Sequence, residues 1–206
     1  MLYTATVQSS TLELLKEVLQ LPSLQPFALA GGTNLSLVLG HRLSIDLDLF
    51  TDQAFAEQDA FEEIRTKFPA VRKLDEARNT LSLLLEGVKV DLLAHRYPVI
   101  KPFLQIDSYR LWSVEDVIAM KLGAVSGRGA KKDFWDVAEL LNHYSLEQML
   151  NFFTLKYPNS DIGYVIRSLT YFEDADPQEE PISLKETSWE QVKHQIIVSV
   201  KSYVGL

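Results

Sequence analysis

The chain has 206 residues, of which 47% are hydrophobic and 23% are charged, and its 28 acidic residues outnumber its 20 lysines and arginines. This length suits one domain, or one domain with a helical appendage, and the apolar fraction excludes intrinsic disorder as the main state. Because the chain contains no cysteine, disulfides, cysteine-ligated zinc and thiol nucleophiles are excluded. The formal charge of −8 argues against a protein that coats nucleic acid non-specifically.

The sequence also lacks the usual signals for export or membrane insertion. Residues 1–10 have neither the basic start nor the apolar stretch of a signal peptide. No apolar run approaches the roughly 18 residues that a membrane helix needs. We therefore expect a cytoplasmic protein with no membrane partner.

Apolar periodicity predicts a mixed first half of the chain. A capping box at Ser10 and Glu13 predicts a helix over 10–20. The pattern then predicts a short strand at 27–30, helices at 34–39 and 55–67, and strands at 44–50, 71–76, 80–86 and 88–94. Gly87 marks the turn between the last two strands.

The second half reads as helical from Ser113 onward. Ser113 and Ser145 are predicted N-caps, and the predicted helices cover 114–125, 131–142, 146–156, 161–173 and 188–203. This order predicts an α+β fold with a small mixed sheet flanked by helices at residues 1–110 and a C-terminal helical bundle at residues 111–206.

Two carboxylates share one face of the predicted strand over 44–50. Alternation places Ile45, Leu47 and Leu49 toward the core, and Asp46 and Asp48 on the other face. Such carboxylates lie about 7 Å apart and repel each other by roughly 2 kcal/mol if they are unscreened. A divalent cation with oxygen ligands would compensate this repulsion, although an exposed sheet face wetted by two acids is the alternative.

Asp91 is a third candidate carboxylate, on the predicted strand over 88–94. It shares a face with Lys89, while Val88, Val90 and Leu92 occupy the other face. If this strand neighbours the Asp46/Asp48 strand, three acids converge, which is the arrangement that holds two Mg²⁺ ions during phosphoryl transfer. A solvent-facing hairpin acid is the competing interpretation.

Gly31, Gly32 and Thr33 follow a strand and precede a helix, where backbone N–H groups can bind phosphate. No Walker lysine follows them, so this is not a P-loop. Most Gly-Gly pairs are simply turns. The succession of strand, Gly-Gly-Thr, short helix and acidic strand is more specific than the glycine pair alone.

Cations also occur at unusual positions in the helical half. Lys121 falls on the apolar stripe of its helix, where it either reaches the rim or points into a cleft toward phosphate. Arg128, in a Gly-Arg-Gly turn, could bind a polyphosphate bidentately. Asp133 and Asp136 flank the apolar stripe of the next helix, which suits surface salt bridges, and Lys132 is spaced for an i,i+4 pair with Asp136.

Together these motifs resemble those of the AbiEii-type nucleotidyltransferases, a family of the DNA polymerase β-like superfamily known as the toxin half of abortive-infection toxin–antitoxin pairs. The resemblance covers about residues 27–142 and rests on three ordered motifs: Ala30–Leu35 with His41–Phe50, then Val88–Leu93, then Met120–Ala124 with Arg128 and Lys132–Asp136.

The resemblance implies a role for each matching residue. Asp46 and Asp48 would bind Mg²⁺, two ions being expected, and Asp91 would be the third metal-binding acid and activate the acceptor hydroxyl. Lys121 and Asp133 would complete the catalytic set in the helical region. The nucleotide phosphates would be bound or neutralised by Lys121 and by six further residues: Gly31, Gly32, Thr33, Arg42, Arg128 and Lys132. Asp136 would orient the neighbouring basic side chains.

The resulting hypothesis is a Mg²⁺-dependent transfer of a nucleoside monophosphate from an NTP to a hydroxyl on an RNA end, a protein or a small molecule. The resemblance further implies a toxin with a possible cognate antitoxin. A non-catalytic nucleotide-sensing or partner-binding module is the first alternative, and metal-assisted phosphoester hydrolysis is the second.

Overall fold

The computed structural model describes residues 1–205, and the chain divides into two compact units. The first unit comprises Met1–Gly40, Ser44–Tyr97 and Pro102–Trp112. The second comprises His41–Leu43, Pro98–Lys101 and Ser113–Leu206. Among the described residues, every strand of the sheet lies in the first unit, and the second unit is helical. The predicted α+β class is therefore confirmed.

The first unit is built around one mixed sheet. Its strands are β1 (Ala28–Leu29), β2 (Leu47–Thr51), β3 (Arg72–Ala77), β4 (Thr80–Leu85), β5 (Val88–Ala94), β6 (Leu104–Ile106) and β7 (Tyr109–Leu111). They lie in the order β3-β4-β5-β2-β1-β7-β6. The pairs β2–β5 and β1–β7 are parallel and the other pairs are antiparallel.

Three helices accompany this sheet: α1 (Ser9–Leu19), α2 (Gly31–Leu39) and α3 (Glu57–Lys67). Leu15 of α1, Leu47 of β2 and Leu92 of β5 are fully buried in one hydrophobic core. The central strands therefore have one face fixed in this core. Their polar residues, by alternation, are presented on the other face.

In the first unit, the start of α1 differs from the prediction and one hairpin was not predicted. Helix α1 begins at Ser9 with Gln8 as an N-cap that makes no side-chain bond, so Ser10 lies inside the helix and forms no capping box. The β6–β7 hairpin was not predicted, since each strand has only three residues and shows no periodicity.

The acidic strand is also shorter than predicted at its N-terminal end. Strand β2 begins at Leu47, and Ile45 is 65% exposed rather than directed toward the core. The Thr33 hydroxyl donates to the Asp46 carbonyl, so that carbonyl has a partner outside the sheet ladder. Alternation therefore starts at Leu47 and does not extend back to Ile45.

The second unit consists of α4 (Val114–Gly127), α5 (Lys131–Leu140), α6 (Leu146–Lys156), α7 (Ile162–Leu169) and α8 (Trp189–Val204). Ser113 caps α4 by accepting from the Asp116 N–H, and Ser145 forms a capping box with Gln148 at α6, as predicted. The indoles of Trp189 and Trp135 stack 6.2 Å apart, which packs α8 against α5.

A fully buried ion pair joins α4 and α6. The Lys156 ammonium lies 2.6 Å from Asp116, and neither side chain is exposed. Asp116 also accepts from the Ser113 hydroxyl and from the backbone N–H groups of Ile100 and Lys101. Burial would raise the pKa of Asp116, but these donors hold it below its usual range. The pair therefore stays charged and ties residues 98–101 to the helices.

We expect Lys156→Met to lower the free energy of unfolding by about 3 kcal/mol, because Asp116 stays buried and charged without its cation. Lys185→Met is the matched control, since Lys185 pairs with Glu139 but its side chain is 42% exposed. Urea unfolding of both variants measures the difference. Equal, small effects would contradict the role assigned to the buried pair.

Candidate active site

Two of the predicted acids meet on the polar face of the sheet. In the parallel β2–β5 pair, Asp48 lies directly opposite Asp91. Neighbouring strands are about 4.8 Å apart, and residues in register direct their side chains to the same face. Leu47 and Val90, one position earlier on each strand, are fully buried on the other face. The sheet thus positions two carboxylates side by side.

Asp46 and Lys89 lie at the same end of this strand pair. Asp46 is half-buried, just before β2. The Lys89 ammonium donates to Asp91 Oδ2. This hydrogen bond raises the pKa of Lys89, burial opposes the rise, and the charges of Asp91, Asp46 and Asp48 add to it. Lys89 is therefore a cation within electrostatic range of all three acids.

Gly31 brings the start of α2 against Asp48. Its φ of +65° is one that glycine adopts readily, and a Cβ built on it would lie only 2.8 Å from Asp48 Cγ. Helix α2 begins at Gly31 itself, three residues before the predicted start, and its N-terminus has no side-chain cap. The first-turn N–H groups of such a helix can bind an anion.

We expect Gly31→Ala to cost about 2–3 kcal/mol of unfolding free energy and to displace the Asp48 carboxylate, since strain at positive φ adds to a steric clash. Gly87→Ala is the matched control, because Gly87 has φ +83° but a Cβ at this position would meet no atom within 4 Å. Urea unfolding and nucleotide transfer are measured on both. An equal loss of stability and of nucleotide transfer in the two variants would show that the close approach of Gly31 to Asp48 has no importance.

Thr33 and Asn34 of α2 connect the helix to the sheet through hydrogen bonds. The Thr33 hydroxyl lies 2.8 Å from Ser44 Oγ and donates to the Asp46 carbonyl, and Thr33 is only 1% exposed. Asn34 Nδ2 donates to the carbonyls of Leu29 and Trp112 at 2.8 and 2.9 Å. Sequence reasoning assigned no role to Asn34, whose partner Trp112 is 78 residues away in the chain.

The carboxylates fit a divalent cation by their chemistry. All are hard oxygen donors, and Asp91 Oδ1 is buried with no hydrogen-bond partner among residues 1–205. In the same described part of the chain, no three His, Asp or Glu side chains form a ready-made metal cluster. Asp48 and Asp91 therefore offer part of a ligand set.

In the helical unit, Asp136 is the centre of a buried network of ion pairs. Its carboxylate accepts from Arg42 Nε and Nη2 at 2.7 and 2.9 Å and from His41 Nε2 at 2.7 Å, and Lys121 Nζ lies 2.8 Å away. Burial alone would raise the pKa of Asp136, but the charges of Arg42 and Lys121 and the His41 hydrogen bond hold it well below its usual range.

Asp133 extends the network toward the surface. Its carboxylate accepts hydrogen bonds from Lys121 Nζ at 2.8 Å and from Arg128 Nε at 2.7 Å. Asp133 is fully buried, whereas the Arg128 side chain is 60% exposed. Burial alone would raise the pKa of Asp133, but the charges of Lys121 and Arg128 hold it below its usual range. Three permanent cations thus surround two buried carboxylates, and the surface-salt-bridge interpretation of Asp133 and Asp136 is wrong.

The structure gives Arg42 and Lys121 internal partners. Arg42 is 3% exposed, and Nη1 donates to the Leu43 carbonyl at 3.0 Å while Nε and Nη2 donate to Asp136. Lys121 is 4% exposed, and its ammonium pairs with both Asp133 and Asp136. Lys132 is exposed and lies on the same helix as these two acids. His41 was missed by sequence reasoning, since its partner is 95 residues away in the chain.

Comparison with known proteins places this chain in a family. The model of the nucleotidyl transferase AbiEii toxin family, described as a type IV TA system, matches residues 13–200. The chain belongs to the AbiEii family. The predicted resemblance is thereby confirmed, and the protein is a nucleotidyltransferase of a toxin–antitoxin family. A protein of Aquifex aeolicus (strain VF5), itself described as uncharacterized, is 35% identical over 200 residues, which cover 93% of this chain and 95% of that protein.

Two solved structures share the fold of this AbiEii family member. JHP933 from Helicobacter pylori matches with a TM-score of 0.57 and 14% identity, covering 95% of this chain and 92% of that chain. MenT4, a nucleotidyltransferase toxin from Mycobacterium tuberculosis H37Rv, matches with a TM-score of 0.58 and 12% identity, covering 97% and 86%. Within residues 1–205, no helix is both long and apolar enough to cross a membrane.

Proposed function

We propose that this AbiEii family member transfers a nucleoside monophosphate from an NTP to an acceptor hydroxyl in a Mg²⁺-dependent reaction. The acceptor oxygen forms a bond to the α-phosphorus, the bond from that phosphorus to the β-phosphate oxygen breaks, and pyrophosphate leaves. The observation that carries the proposal is the pairing of Asp48 with Asp91 in register beside the Gly31 turn.

In this proposal Asp46, Asp48 and Asp91 would hold Mg²⁺, and two ions are expected. The metal, when bound, neutralises phosphate charge and aligns the reacting groups. Asp91 also takes the proton of the acceptor hydroxyl, a role supported by its buried, unpartnered Oδ1 among the described residues. Phosphate oxygens of the nucleotide would complete a ligand set of which the protein supplies only a part.

The nucleotide phosphates meet backbone donors at the start of α2. The N–H groups of Gly31, Gly32 and Thr33 form its first turn, where the helix dipole favours an anion. The Thr33 hydroxyl is engaged with Ser44 and Asp46, so Thr33 contributes its backbone N–H and fixes the acidic strand with its side chain.

In the helical unit, we assign phosphate contact to Arg128 and Lys132, whose side chains reach the surface. Asp133 orients Arg128 through its Nε hydrogen bond. Lys121 contributes positive charge that offsets the triphosphate and keeps Asp133 ionised. Arg42 and Asp136 act as positioning residues, because Arg42 Nε and Nη2 both donate to the buried Asp136 carboxylate.

The proposed biological setting is a toxin held in check by a cognate antitoxin, as the family description indicates. The acceptor hydroxyl belongs to an RNA end, a protein or a small molecule, and one experiment separates these classes. The purified protein is incubated with each common NTP labelled at the α-phosphorus, with Mg²⁺ and a total RNA pool, and the products are resolved on a gel.

The proposal predicts that label enters RNA or protein, or a small product, with release of pyrophosphate, and that a chelator of divalent ions abolishes this transfer. Binding of NTP with no pyrophosphate would favour the non-catalytic sensing or partner-binding module instead. Accumulation of inorganic phosphate or a nucleoside diphosphate with no labelled acceptor would favour hydrolysis. Either of these two results would contradict the transferase proposal.

A further inference from the structure

Lys89 stands out as a basic residue on the acidic face of the sheet. Along β5, alternation places it on the same face as Asp91. The parallel register pairs Asp48 with Asp91, two residues after Lys89 on β5, and the charges of Asp46 and Asp48 both act on Lys89. Lys89 therefore lies against the acids that are proposed to hold metal.

Its contact with Asp91 is direct and only half-buried. The ammonium forms an ion pair with Asp91 Oδ2, and the Lys89 side chain is 48% exposed while that of Asp91 is 24% exposed. Because half of the side chain faces solvent and lysine has several rotatable bonds, the ammonium can leave the carboxylate without repacking the core. The core-facing neighbour Val90 is fully buried and keeps the strand in place.

We propose that Lys89 is a tethered counter-cation that competes with the divalent ion for Asp91 and its neighbours, and so sets the metal concentration at which the site fills. The proposal rests on the metal site of the proposed function. In the metal-free protein, Lys89 offsets the mutual repulsion of the acids. With a divalent ion bound, the Lys89 ammonium would leave Asp91 and extend into solvent, because like charges repel.

The competition follows from simple charge arithmetic. A lysine that neutralises one carboxylate must be displaced before that oxygen can bind an ion, and a nearby positive charge disfavours a second cation. Removing the charge should therefore strengthen metal binding. Because Lys89 is partly exposed, salt should weaken the effect.

The test is a titration of the full-length, nucleotide-free protein with Mn²⁺, in which the free ion is followed by its electron paramagnetic resonance signal. Lys89→Gln removes the charge and keeps most of the length. We expect it to bind Mn²⁺ about three- to tenfold more tightly than the wild type at low ionic strength. Lys89→Arg keeps the charge and should stay close to the wild type.

Lys73→Gln is the matched control, because Lys73 is a sheet lysine on β3 whose ion pair is with Glu76. It should leave Mn²⁺ binding unchanged. Equal or weaker binding by Lys89→Gln than by the wild type would overturn the proposal. If Mn²⁺ binding is the same in the wild type and in an Asp46→Asn/Asp48→Asn protein, the metal site itself is misassigned, a failure distinct from one confined to Lys89.

Discussion

A protein carrying both Asp46→Asn and Asp48→Asn is expected to transfer nucleotide at least about a thousandfold more slowly than the wild type. Losing both carboxylates removes most of the charge that holds a divalent ion against the phosphates, and such stabilisation is worth several kcal/mol in the transition state. Asn matches Asp in size, so the shape of the strand is retained.

The fold of this double variant should be intact. Asp46 and Asp48 are half-buried on the polar face, and removing their charges relieves their mutual repulsion but also removes their attraction to Lys89. We therefore expect an unfolding free energy close to that of the wild type. Loss of transfer accompanied by loss of structure would leave no support for a direct role of these acids.

Asp75→Asn is the control for this pair. Asp75 lies on the exposed edge strand β3, so it undergoes the same chemical change in the same unit. Transfer by the control should match the wild type. If the control and the double variant lose activity equally, net charge rather than the Asp46/Asp48 site would explain the result.

Asp136→Asn is expected to lower the free energy of unfolding by about 3–5 kcal/mol, because the buried cations Arg42 and Lys121 would both lose the Asp136 carboxylate. The amide also cannot accept the bidentate pair that Arg42 donates to both carboxylate oxygens. Glu190→Gln is the control, since Glu190 pairs with Lys193 at the surface and is 81% exposed. Urea unfolding monitored by tryptophan fluorescence measures both.

Asp136 also contributes to the pH dependence of the free energy of unfolding. The pKa of Asp136 in the folded state lies well below its unfolded value, so its contribution is fully present above the unfolded pKa of about 3.9 and is lost as pH falls through the folded pKa. Below about pH 4, wild-type stability should fall steeply and that of Asp136→Asn less steeply. Parallel curves would contradict the assigned coupling.

Local patterns sufficed to predict much of the fold. Alternation along β5 predicted that Asp91 and Lys89 share a face, and the serine caps of α4 and α6 were predicted because they depend on residues three positions apart. The α+β order followed from the change of period after residue 113. Such features depend on a few consecutive residues, which the sequence displays directly.

Long-range pairing accounts for what the sequence did not reveal. Asp133 and Asp136 looked like surface acids because they flank an apolar stripe, yet both are buried, and Asp136 meets an arginine 94 residues away. Ile45 continued an alternating pattern, but it is exposed, since strand β2 starts only at Leu47. Neither outcome can be read from neighbouring residues.

The central claim is that this chain uses its paired acids to move a nucleoside monophosphate. The most direct test measures pyrophosphate release and α-label incorporation in the same reaction, for the wild type and for the Asp46→Asn/Asp48→Asn protein. We expect equal amounts of pyrophosphate and transferred label from the wild type, and at least about a thousandfold slower formation of both products by the variant. Label transfer at a rate close to that of the wild type would contradict the claim.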